Sequence, residues 1–176
     1  MSCIISINQN FARTLDEQAA VRLAQLSGMF AAFQYNLECL PWRQELRMFR
    51  IDHPFDWHSL DLFVGMFQPP GRLLDWAIDD VCEFVRLCHF FKVHENFLWH
   101  CLGVSLPREC PSFFSTSNTG DVLFCLKSCG YLRSAKRIIS MAGQSDVNRD
   151  AFHLSDLLAA QTSEEYWGMI LERYHQ

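Results

Sequence analysis

GRLLDWAIDDVCEFVRLCHFF, from Gly71 to Phe91, is the stretch on which the fold turns. Within it Leu74, Ile78, Val81, Val85 and Cys88 recur in steps of 4, 3, 4 and 3, which places them on one face of an α-helix. Trp76, Phe84, Leu87 and Phe91 add apolar surface on the flanks. A helix apolar around so much of its circumference belongs at the centre of a fold.

The same period extends to both sides. Upstream, Thr14 and Glu17 have the spacing of a capping box. Ala19, Leu23, Leu26, Phe30, Phe33 and Leu37 follow at helical intervals, so one long helix is expected over 14–37. LPWRQELRMFR restarts with Pro41 in a first-turn position and runs as a helix to Arg50, with Pro54 as its stop. WHSLDLFVGMF reads as a short helix with Leu60, Val64 and Phe67 facing inward.

Downstream, HENFLWHCLGV forms a helix expected to close near Gly103. SLPRECPSFFSTSNTG is the best exposed loop or boundary. DVLFCLKSCGYLRSAKRIISMAG then reads as helix, turn at Gly130, helix, and DAFHLSDLLAAQTSEEYWGMILERY as two more short helices. CIISI is too short and too close to the N-terminus to found a sheet. The expectation is therefore all-α: a compact multi-helix domain of about seven to nine helices. Residues 1–110 would form a helical core region and 111–176 a C-terminal region of helical hairpins, or the two would be continuous.

Composition narrows the class. Of 176 residues 49% are apolar and 14% aromatic, enough for a packed interior. The net charge of −5 argues against a protein living on DNA or an anionic membrane. The opening residues have no basic region before an apolar run, and no stretch approaches a membrane span. Cytoplasm or nucleus is the expected location, and there the eight cysteines should be reduced.

Within the last third, the stretch Leu123–Asn148 resembles an ankyrin repeat. Leu123, Gly130, Leu132, Ile138, Ile139, Gly143, Asp146, Val147 and Asn148 stand where that family has apolar, glycine and polar residues. The family's threonine-proline-leucine-histidine turn is replaced by TGDVLFC, and Met141 and Ser145 break its register. The likeness spans about 120–172 and implies protein binding without catalysis.

Chemistry-bearing residues are few. FVRLCHFFKVHENFLWHC collects cysteines and histidines, but without the close pairs of a structural zinc site. Cys125 and Cys129, four apart on a helix, can share an ion, with His94 or His100 as further ligand candidates. Cys88 and His89 are adjacent and diverge by about 100°, so they cannot act as nucleophile and base. No nucleophile elbow, phosphate loop or dinucleotide fingerprint occurs. No catalytic residue, cofactor or resident metal is expected.

Two basic groups remain. Arg43, Arg47 and Arg50 form a stripe on the helix expected over 41–50, with Trp42 and Trp57 close in sequence. Lys127, Arg133, Lys136 and Arg137 lie on the hairpin around Gly130. Guanidinium groups hold carboxylates or phosphates in bidentate geometry, and tryptophan stacks on a partner's rings. The expected function is a non-enzymatic, intracellular protein-binding module: an adaptor, or an antagonist of the kind viruses encode. The partner is another protein; a second copy of the chain is an alternative. The competing expectation is an RNA-binding protein using both basic groups, for example a suppressor of RNA-based defence.

Overall fold

The computed structural model describes residues 3–7, 11–32, 48–51, 57–68, 76–142 and 151–175. The chain is predominantly helical, as its periodicity predicts. The described α-helices are α1 Glu17–Leu26, α2 Trp57–Phe67, α3 Ile78–Phe90, α4 Glu95–Trp99, α5 Leu106–Glu109, α6 Thr116–Ser128, α7 Leu132–Ala142, α8 Leu154–Ala159 and α9 Ser163–Tyr174. A π-helical segment, His100–Ser105, joins α4 to α5, so the helix expected to close near Gly103 instead runs on to Glu109.

One correction is a small sheet. Strands β1 Cys3–Ile7, β2 Phe11–Leu15 and β3 Met48–Ile51 pair in the order β2-β1-β3. CIISI does found it, as the central strand. It is antiparallel to β2, with Ile7 opposite Phe11, and parallel to β3, with Ile4 opposite Met48. The β-branched isoleucines favour extension, and neighbours on both sides complete the ladder that a lone five-residue strand lacks. β3 also ends the helix expected over 41–50: Phe49 and Arg50 lie in a strand.

The chain divides into two compact units, Met1–Arg72 with Leu87–His94, and Leu73–Arg86 with Glu95–Gln176. Residues 95–110 fall in the second of these units.

In the first unit α1 is capped by Asp16, whose carboxylate accepts from the Ala19 amide at 2.7 Å. Thr14, expected to be the cap, lies in β2. Ala19, Leu23 and Phe30 are buried, as the helical spacing requires. The long helix breaks at Ser27, where the backbone turns extended (φ −126°, ψ 114°) and bridges Val93. Residues 28–32 are helical again, and Phe33 and Leu37 lie outside the described residues. Serine followed by glycine is a local breaker, since the hydroxyl competes for backbone partners. The buried Ser27 hydroxyl donates to the Phe91 carbonyl and accepts from the Phe30 amide at 3.1 Å, so it caps the second helical stretch. Ser27→Ala removes both bonds and should lower the stability of this unit by about 1–3 kcal/mol, read by urea unfolding. A change below a few tenths would mean that the hydroxyl holds nothing.

In the second unit α6 and α7 form the expected hairpin. Gly130, at φ +79°, sits in the left-handed region that ends α6, and the Tyr131 amide reaches back to the Leu126 carbonyl at 2.8 Å. Val122, Leu123, Leu126, Ala135 and Ile138 are buried. The two short terminal helices are present as well. Thr162 caps α9 through the Glu165 amide at 3.2 Å, and Asp156 pairs with Arg173 at 2.5 Å. The Arg173 hydrogen bond holds the Asp156 carboxyl below the ordinary carboxylate range.

Candidate functional site

The two basic groups fare differently. Trp42, Arg43 and Arg47 lie outside the described residues. Arg50 is in β3, opposite Ser6 of β1, so it does not continue a helical stripe with the other two arginines. Trp57 opens α2.

On the hairpin, Lys127 is engaged within its own unit. Its ammonium donates to the Ala160 carbonyl and lies 5.4 Å from the Phe124 ring centre. Arg133, Lys136 and Arg137 are exposed on the outer face of α7, opposite buried Ala135 and Ile138. Among the described residues no carboxylate pairs with these three cations. Arg137 stacks instead on Trp99, its guanidinium 5.2 Å from the ring centre. The Trp99 ring is pressed against Gly103, where an added Cβ would stand 2.4 Å from the indole. Only glycine at 103 leaves room for that ring position. The N-terminus of α7 is tied by Glu95, whose carboxylate accepts from the Ser134 amide at 2.8 Å. A cation–π pair of this kind is worth about 0.5–1 kcal/mol at an exposed site, and it orders a long side chain before any partner arrives.

A second feature is sulfur-rich. Helices α3 and α6 enclose an open cleft of about 410 Å³ lined by Cys82, Arg86, Asp121, Cys125 and Cys129, with Ser163 at the start of α9. Cys125 is central: its thiol donates to the Cys82 carbonyl oxygen at 3.4 Å. The Cys125 hydrogen bond holds the Cys82 and Cys129 thiols below their usual range, with Arg86 adding to the effect and burial opposing it. Hydrogen bonding to its two neighbours and burial push Cys125 itself up. Asp121 is steadied from α9, where the Trp167 indole N–H donates to it at 2.9 Å.

Cys82 is buried, as expected of a core residue, and it also lines this cleft. Cys88 is wholly buried. His94 belongs to the first unit, its amide donating to Leu26 at 2.8 Å, and His100 is exposed at the start of the π-helical segment. Among the described residues no three cysteine, histidine or acidic side chains converge as a metal site. The pairing of Cys125 with Cys129 was legible in their spacing. Cys82 and Arg86 joined them through the packing of another helix, for which the sequence carries no signal.

No match to this chain emerges from comparison with protein-family models, curated proteins or solved structures. Of the stretch Leu123–Asn148, the described residues form the end of α6, the Gly130 turn and α7, a helical hairpin that is not specific to any repeat family, and Gly143, Asp146, Val147 and Asn148 lie outside the described residues. Among the described residues no helix is long and apolar enough to cross a membrane.

Proposed function

We propose that this chain is a non-catalytic protein-binding module that takes an acidic segment of a partner protein on the outer face of α7. One observation carries the reading: Arg133, Lys136 and Arg137 stand exposed without a described carboxylate partner, and Arg137 is preset on Trp99. The chain has 20 acidic residues against 15 basic ones, so partners for these cations are plentiful in composition. A basic face without a carboxylate partner among the described residues supports complementarity to an acidic surface. Arginine and tryptophan are also the residues that most often dominate binding energy at protein interfaces.

The test is affinity capture from cell lysate with the intact chain and with the Arg133→Glu/Arg137→Glu variant, read by quantitative mass spectrometry. Circular dichroism confirms folding of both. An acidic protein retained by the parent chain should fall by about thirtyfold or more on the variant, the loss expected of a central arginine. Equal capture by both would overturn the reading. Binding to labelled single-stranded RNA that weakens steeply with salt and vanishes on the same variant would replace it with the nucleic-acid alternative.

A further inference from the structure

We propose that Cys125 and Cys129 form a peroxide-sensitive thiol pair, Cys129 meeting the oxidant in the open cleft and Cys125 closing a disulfide with it. The assignment rests on placement. Cys129 is only half-buried, is the C-terminal cap of α6 (φ −89°, ψ 0°), and lines the cleft beside Arg86. Cys125 is one helical turn earlier on α6 and lines the same cleft. Cα atoms four residues apart in a helix are separated by about 6 Å, within the span of a disulfide. The Cβ atoms stand about 5–6 Å apart and must draw together by about 1–2 Å for the bond to close. Their position at a helix terminus, just before the Gly130 turn, lets the last turn tighten without unwinding an interior segment.

The cluster favours thiol oxidation over metal binding. Among the described residues no three cysteine, histidine or acidic side chains of this cluster converge as a metal site. The acidity of Cys129 supplies thiolate, the form that attacks peroxide.

The chemistry balances with a hydroperoxide as the only co-reactant. Cys129 sulfur attacks one peroxide oxygen: an S–O bond forms, the O–O bond breaks, and the other oxygen leaves as water with the thiol proton. Cys125 sulfur then attacks the sulfenic sulfur: the S–S bond forms, the S–O bond breaks, and the hydroxyl leaves as water with the Cys125 proton. Two thiols lose two electrons and hydrogen peroxide gains them.

Trypsin makes the test direct, because Cys82, Cys125 and Cys129 fall in different fragments, Leu73–Arg86, Glu109–Lys127 and Ser128–Arg133. Cys110 shares the middle fragment and is removed with a Cys110→Ser background. The folded full-length chain is treated with hydrogen peroxide, blocked with N-ethylmaleimide, digested without reductant and read by mass spectrometry. The expected product links Glu109–Lys127 to Ser128–Arg133 and is reversed by dithiothreitol. Cys125→Ser should leave a dimedone-reactive sulfenic acid at Cys129. Arg86→Gln should slow the reaction by up to about tenfold through the lost thiolate fraction. Oxidation spread evenly over the cysteines would overturn the proposal, as would a principal link from Leu73–Arg86 to Glu109–Lys127.

Discussion

Phe63→Ala is expected to lower the stability of the first unit by about 3–5 kcal/mol, the range for removing a buried aromatic ring. Phe63 is fully buried in α2. Its ring stacks on Phe91 at 4.8 Å between centres, 13° from parallel, and meets Phe67 at 5.0 Å. All three rings are wholly buried, so truncation removes apolar burial, two aromatic pairings and the atoms filling the space between them. Relaxation recovers only part of this, because large flat neighbours cannot close a ring-sized gap. Urea unfolding followed by far-UV circular dichroism measures it. Leu158→Ala serves as the control: Leu158 is 48% exposed and its loss should stay within about 0.5 kcal/mol. A Phe63→Ala loss no larger than that control would show that this aromatic cluster is not the core of its unit.

Tyr166→Phe should change stability the other way. Tyr166 is wholly buried in α9, yet its hydroxyl finds no hydrogen-bond partner among the described residues. A buried hydroxyl without a partner carries a desolvation penalty of about 1–3 kcal/mol. Phenylalanine keeps the ring and its stacking on Phe124, 6.4 Å between centres, and discards the penalty. A gain of about 1 kcal/mol is expected, smaller than the full penalty because the hydroxyl leaves a small void. Burial, with Asp156 adding, pushes the phenol pKa well above its ordinary value. A raised folded-state pKa means that its stabilising term is complete below about pH 10 and declines as the pH rises further. The phenylalanine variant lacks that decline, so its advantage should widen in alkali. Destabilisation by about 1 kcal/mol or more would instead reveal a bond to this hydroxyl.

Helical periodicity was legible wherever burial set the pattern. Leu60, Val64 and Phe67 face inward in α2, Val81, Val85 and Cys88 are buried in α3, and Gly130 makes the turn between α6 and α7. What failed were positions decided by partners distant in sequence. FARTL and MFRI carry little strand signal alone and pair because CIISI offers both edges. The break at Ser27 follows from its bridge to Val93, sixty-six positions on, as 93 − 27 counts. The candidate sites divide in the same way. Arg133, Lys136 and Arg137 were visible as basic residues on one hairpin. Trp99 beneath Arg137 was not, because a cation–π pair between separate helices leaves no spacing to read. Lys127 looked equivalent to them and is instead turned onto Phe124 and Ala160.

The wide turn at His100–Ser105 sets the phase of the helix beyond it. Adding one residue inside a helix swings everything beyond it by about 100°, which would misdirect every later buried side chain. A π-turn absorbs one extra residue locally, and such turns occur frequently at functional sites. Here the segment begins directly after Trp99 and contains Gly103, the two residues that crowd each other. A one-residue deletion within His100–Ser105 should therefore unseat Trp99 from Gly103.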